Sequence, residues 1–316
     1  MASFDSVNYS LRPSKSIERQ IVFEGVRDLQ MHLKLTELVY VGLGSVWFTD
    51  FIMAHRMLRI EEMISIEREE IGYKRAKFNS PYATVQVMHG SSSEILPVLC
   101  NDENWKSRPW LIWLDYDGDF DEEMKGDLQM LIERAPMNSL LVSTFNACPR
   151  SYGKNPEDRL GRLQELFRSV VPDNLPKRSV KEEERMQQTL ADISLRYMQS
   201  VAEEASRPGG FVPAIRIPYQ DGAPMVTVGG VLPEEGNRHE VEQITQSEDW
   251  LCRPDKPIVA PHLTMREAAV LQSQLPCTDR LTRDRIRQLG FDLEESQIET
   301  FQKYYRQYPT FAQILS

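Results

Sequence analysis

Apolar positions along this chain follow two rhythms. Between about residues 38 and 146, short runs that are almost wholly apolar alternate with stretches in which apolar residues recur every three or four positions. The runs are LVYV (Leu38–Val41), MISI (Met63–Ile66), TVQVM (Thr84–Met88), WLIWL (Trp110–Leu114) and SLLVST (Ser139–Thr144). Runs of this kind predict strands covered on both faces. The intervening SVWFTDFIMAHRML and DEEMKGDLQMLIERA (Asp121–Ala135) have the spacing of amphipathic helices. The order predicts βαβ units, and hence an α/β protein with a doubly wound, mostly parallel sheet.

The second half reads differently. Residues 148–178 are rich in Pro, Gly and charge, and Lys181–Ala205 predicts a long helix. In Phe211–Leu232 two alternating stretches flank Gln220-Asp221-Gly222, which predicts an antiparallel hairpin. From Pro261 onward the pattern is helical. Thr264-x-x-Glu267 and Asp292-x-x-Glu295 fit capping boxes, Gly290 fits a helix stop, and Pro276 and Pro309 punctuate the ends. Leu289, Phe291, Leu293, Ile298, Phe301, Tyr305 and Phe311 are expected to pack this tail as a small helical core. The division that follows is a first domain over 1–235, with a helical lead-in over about 1–35 and an insertion over about 148–205, and a helical C-terminal extension over 236–316.

Composition narrows the class. Hydrophobic residues make up 41% and charged residues 27%, as in soluble globular proteins. No apolar run approaches a membrane span, and the first twenty residues lack the apolar stretch of a signal peptide, so a cytoplasmic protein is expected. A net charge of -10 disfavours nucleic acid as a partner, since that binding needs clustered Lys and Arg. Cys100, Cys148, Cys252 and Cys277 form no CxxC pair and are expected to be free thiols.

The candidate chemistry lies where strands end. VYVGLGS carries a strand into Gly42-Leu43-Gly44 and then towards a helix, and glycines there let backbone approach a ligand closely. The second strand ends at Glu67, an acid placed to bind the hydroxyls of a ribose. The third leads into Gly90-Ser91-Ser92-Ser93, a polar loop suited to an adenine edge. The fourth ends in Asp115-Tyr116-Asp117-Gly118, which lifts two carboxylates and a phenol to the ligand side of such a sheet. The further acids Asp119 and Asp121 fit solvated loop positions.

In this order of parts the chain resembles the class I S-adenosylmethionine-dependent methyltransferases, over roughly residues 30–232. The resemblance implies a Rossmann-like fold whose hairpin closes the sheet. It implies S-adenosylmethionine held by Gly42, Leu43, Gly44, Glu67, Gly90, Ser91, Ser92 and Asp115. Tyr40 stands where that family often has an acid, Val46 where it often has a third glycine, and Ser91 where an acid often follows the third strand. The implied activity is methyl transfer to oxygen or nitrogen of an unidentified acceptor, with Asp115, Tyr116 and Asp117 as candidates to deprotonate or orient it. A regulatory or binding subunit that retains the fold, and a nicotinamide-dependent oxidoreductase, are the alternatives.

Other chemistries fit less well. The signatures of amino-methylating and C5-methylating DNA enzymes are absent after the fourth strand, and Cys148 lies at a poor spacing for an RNA cytosine nucleophile. Phe145 stands where a metal-dependent catechol-type enzyme would have an acid, and DYDGDFDEEMKG lacks the glycine and glutamate of an EF-hand, so no metal is expected. Arg280, Arg283, Arg285 and Arg287 alternate with acids, which predicts a solvated, ion-paired helix face more than a contact surface, though a protein partner could bind there.

Overall fold

The computed structural model describes residues 12–309, so Phe311 lies outside the described residues. In chain order the elements are α1 (Pro13–His32), β1 (Val39–Leu43), α2 (Thr49–Leu58), β2 (Met63–Glu67), α3 (Glu70–Asn79), β3 (Val85–His89) and α4 (Ser92–Asn101). There follow β4 (Trp110–Asp119), α5 (Glu122–Arg134), β5 (Ser139–Asn146), α6 (Pro149–Tyr152), α7 (Pro156–Phe167) and α8 (Glu183–Glu204). The hairpin β6 (Val212–Gln220) and β7 (Pro224–Leu232) precedes α9 (Arg238–Thr245), α10 (Met265–Gln272), α11 (Arg283–Leu289) and α12 (Glu295–Tyr304).

The seven strands of the described residues form one sheet in the order β3-β2-β1-β4-β5-β7-β6. The first five are parallel, and β7 pairs antiparallel with both β5 and β6. The expected fold class therefore holds, including the closing hairpin. The strand order reverses between β1 and β4, where open α/β sheets bind ligands beyond the carboxyl ends of their strands.

Alternation along each strand divides the core into two layers. Tyr40 of β1 and Trp113 of β4 face a layer with Ile17, Ile21 and Phe23 of α1 and Phe51 of α2. Val39, Val41 and Ile112 face the opposite layer, with Leu128 of α5, Leu163 of α7 and Leu190 of α8. β1, β2, β5 and the apolar run of β4 are buried on both sides, which is why their sequences read as nearly unbroken apolar runs; β3, at the edge of the sheet, is instead partly exposed.

The region after β5, rich in Pro, Gly and charge, contains α7. Asn155 caps it, its side chain accepting the Asp158 N–H, and Pro156 opens its first turn. The tail shares the α1 layer: Trp250, Cys252, Leu271, Ile286, Ile298, Phe301 and Tyr308 are buried with α1 and β6. A Cβ at Gly25 of α1 would lie 2.5 Å from Cys252 Sγ, so the missing side chain admits this close packing. Between α9 and α10 the chain runs beside β6, where the Ile258 N–H donates to Pro218 C=O at 2.9 Å. The Thr264–Glu267 capping box and the left-handed Gly290 stop form as expected. The second box is corrected: Glu294 and Gln297 form it, because Asp292 instead takes Arg283 bidentately at 2.7 and 2.9 Å.

Candidate active site

Two adjoining cavities open at the carboxyl ends of the parallel strands. One, of about 330 Å³, lies over the ends of β1, β2 and β3 and is bordered by Leu43, Gly44, Glu67, Gly90, Ser91, Ser92 and Tyr116. The other, of about 180 Å³, lies between α1, the loop after β1 and the hairpin tip, and is bordered by Lys15, Arg19, Trp47, Asp50, Tyr219 and Asp221. Leu43, Gly44, Asp115 and Asp117 border both.

Gly44 is essential to the first cavity's shape. Its N–H donates to Ile66 C=O, and a Cβ there would lie 2.5 Å from Glu67 Oε2 and 2.9 Å from Ile66 O. Only glycine lets the β1 loop close onto the acid that ends β2. Glu67 is 8% exposed, and its Oε1 accepts the Glu69 N–H at 3.1 Å. Burial pushes its carboxyl above the ordinary range, partly offset by that hydrogen bond. Gly42 sits inside β1 and borders neither cavity; a Cβ there would meet the Tyr40 ring at 3.0 Å. Ser91 and Ser92 border the cavity with their hydroxyls engaged. Ser91 caps α4 with Glu94, and Ser92 donates to buried Asp127 of α5.

The β4 loop owes its form to a register shift. Asp115 pairs with Thr144 of β5 and Asp119 with Asn146, so the residues between bulge away from the ladder. Asp117 is exposed on this bulge. Tyr116 donates to Asp127 Oδ2 at 2.7 Å. Burial, then the Asp127 charge, holds its phenol well above the usual range, so the hydroxyl keeps its proton and ties β4 to α5.

Asp115 faces a cluster that the sequence reading missed. Lys15 Nζ lies 2.9 Å from Asp115 Oδ2 and 3.4 Å from Glu18 Oε2, and Arg19 Nε lies 2.5 Å from Asp50 Oδ1. Lys15 is 3% exposed and Glu18 is fully buried. Burial acts to deprotonate Lys15, but Asp115 and Glu18 outweigh it and hold the ammonium charged. Lys15 favours the nearer carboxylate, so for Glu18 burial wins and its pKa is pushed up to about 7. The hairpin completes the arrangement: the Asp221 carboxylate accepts the N–H groups of Ser14 and Lys15 and so caps α1. The signal available in the sequence is a stripe. Lys15, Glu18 and Arg19 continue the helical face of Val22, Val26 and Leu29, so these charges turn inward.

A Rossmann-like sheet with a divided cleft at its topological switch point defines the class. A family model described as "Putative O-methyltransferase" matches residues 7–316, and the chain belongs to that family. Among solved structures the chain is similar to Trm1 from Pyrococcus horikoshii in complex with S-adenosyl-L-methionine. The identity is 14%, 72% of this chain and 57% of that chain are covered, and the TM-score is 0.46. It is also similar to an O-methyltransferase from Bacillus cereus in complex with SAH, at 12% identity, with 68% and 90% covered and a TM-score of 0.38. For the O-methyltransferase TomG from Streptomyces achromogenes the figures are 14% identity, 72% and 91% covered, and a TM-score of 0.37. A search of curated proteins finds no match. Among the described residues no helix is long and apolar enough to cross a membrane, and all four cysteines are free thiols.

Proposed function

We propose that this chain is an S-adenosylmethionine-dependent methyltransferase acting on an oxygen of its acceptor. The observation that carries the reading is the closure of Gly44 onto Glu67 beside Asp115, which borders both cavities. Glu67 borders the larger cavity, where a carboxylate suits the hydroxyls of a ribose, and Gly90 with Ser91 borders the place for the base. The larger cavity's charge also fits. Glu69, Asp117, Asp119, Asp121 and Glu123 line it against the single guanidinium of Arg68, an environment that attracts a sulfonium and repels the diphosphate of a nicotinamide dinucleotide.

The cofactor supplies an electrophilic methyl on a sulfonium, and each turnover yields a neutral thioether, a methylated acceptor and one proton. The protein's own work is to orient the acceptor and to take that proton. Asp115 accepts the hydroxyl proton in the smaller cavity, and the Lys15 ammonium beside it stabilises the developing oxyanion. Trp47, an exposed indole at the rim, provides a flat apolar wall for the acceptor.

Titration calorimetry with S-adenosylhomocysteine tests the site. Glu67→Ala should weaken binding about 10- to 100-fold, the loss of charge-assisted hydrogen bonds. Equal affinity in the variant refutes the assignment. Labelled methyl transfer to a panel of hydroxyl and amine acceptors tests the oxygen preference, and products on amines alone overturn it.

A further inference from the structure

A line of buried hydrogen bonds runs beneath the smaller cavity. The Trp113 indole N–H of β4 donates to Thr144 Oγ1 of β5 at 3.1 Å, and Thr144 meets Thr227 Oγ1 of β7 at 2.8 Å. Thr227 in turn donates to Glu18 Oε1. An indole can only donate. With Glu18 as the carboxylate, the arrangement in which both threonine hydroxyl hydrogens find acceptors therefore runs from Trp113 towards Glu18, and it engages Oε1 as an acceptor. Oε2 is the remaining place for a proton. It is buried with no hydrogen-bond partner among the described residues, and it points to Lys15 Nζ at 3.4 Å. Lys15 reaches Asp115 on its other side at 2.9 and 3.0 Å.

We propose that Glu18 is a positioning residue for methyl transfer that stores the acceptor's proton, received from Asp115 through Lys15. The inference rests on the function proposed above. Asp115, having taken the hydroxyl proton, passes it to Lys15 Nζ as Lys15 passes one of its own to Glu18 Oε2. Asp115 is again a carboxylate, Lys15 again an ammonium, and Glu18 a neutral acid. No charge is created in the core, because each transfer neutralises one group as it restores another. Reversal of these steps releases the proton to solvent once product leaves the cavity, since Asp115 is 26% exposed while Glu18 is fully buried.

The surroundings suit a group that switches between two states. Lys15 and Arg19 face Glu18 from its own helix, Asp115 from β4, Tyr219 from β6, Tyr40 from β1 and Cys252 from the segment after α9. Burial opposes the charged form and Lys15 supports it, which leaves Glu18 titrating at about 7. A sulfonium at the neighbouring cavity shifts that balance towards the carboxylate, whereas a thioether does not.

Calorimetry in two buffers of different ionisation enthalpy, across pH 6 to 8, counts protons released on ligand binding. For the wild type, S-adenosylmethionine should release a fraction of a proton, peaking near pH 7, and S-adenosylhomocysteine distinctly less. Glu18→Gln should abolish the difference. Thr227→Val, which removes the hydrogen bond that favours the carboxylate, should move the peak to higher pH and serves if Glu18→Gln does not fold. The relay is overturned if both ligands bind and the difference is absent in the wild type, or persists in Glu18→Gln, or keeps its pH in Thr227→Val. Failure of folded wild type to bind either ligand instead removes the parent reading, and the relay with it.

Discussion

Lys15→Met removes the one ammonium shared by Asp115 and Glu18, while its unbranched side chain still fills the space over the Trp113 and Tyr219 rings, which the ammonium approaches at 5.2 and 5.4 Å. Removing one partner of a buried ion pair costs roughly 3–5 kcal/mol. Asp115 is 26% exposed and regains some solvation, so about 3 kcal/mol is expected near pH 7. The pH dependence is the sharper part. Glu18 has a folded pKa of about 7 against an ordinary value of 4.5, so the native state binds its proton more tightly. Wild-type stability therefore declines through that window and levels off above it. Without Lys15 the pKa of Glu18 rises further, and the decline should continue above pH 7 at up to about 1.4 kcal/mol per pH unit. Urea denaturation at several pH values from 6 to 8.5 measures this. The penalty should grow with pH in Lys15→Met and lose that growth in Lys15→Met/Glu18→Gln. A penalty that is constant with pH, or that the second substitution leaves unchanged, refutes the account of the cluster.

Two further predictions concern the walls of the cleft. Gly44→Ala places a Cβ 2.5 Å from Glu67 Oε2 and against the Ile66 carbonyl; overpacking of this kind costs about 1–3 kcal/mol. A Tm lowered by several degrees in calorimetric scans, together with at least tenfold weaker S-adenosylhomocysteine binding, is expected, and unchanged values of both would sink the close-approach argument. Asp221→Ala removes the side-chain cap on the Ser14 and Lys15 N–H groups, with a loss of about 1 kcal/mol. Amide hydrogen exchange should accelerate in the first turn of α1, and unaltered protection there would show that the hairpin does not hold the helix.

The sheet was legible because its central strands β1, β2, β4 and β5 are buried on both faces along their apolar runs, a condition that leaves a nearly unbroken apolar run in the sequence. Gly44, Glu67 and Asp115 stood out for a related reason: in such a sheet ligands are expected beyond the strand ends, and Gly44 follows β1, Glu67 ends β2 and Asp115 closes the apolar run of β4. Gly42, equally prominent in sequence, packs beside Tyr40 and borders neither cavity, a matter of the strand's register that its composition does not encode. The α1 half of the site was hidden because Lys15, Glu18 and Arg19 resemble a solvated helix face until the sheet and hairpin bury them. Likewise the cap of α12 moved two residues because Arg283, from a different helix, claims Asp292. Ion pairing between elements is a tertiary event, and local spacing does not encode it.

The proposed cleft spanning Gly44, Glu67 and Asp115 would hold S-adenosylmethionine beside the acceptor cavity. A crystal structure of the protein with S-adenosylhomocysteine tests it most directly. The ribose hydroxyls are expected on the Glu67 carboxylate, the adenine near Gly90 and Ser91, and the sulfur directed towards Asp115. A ligand bound elsewhere, or one whose ribose makes no contact with Glu67, would contradict it.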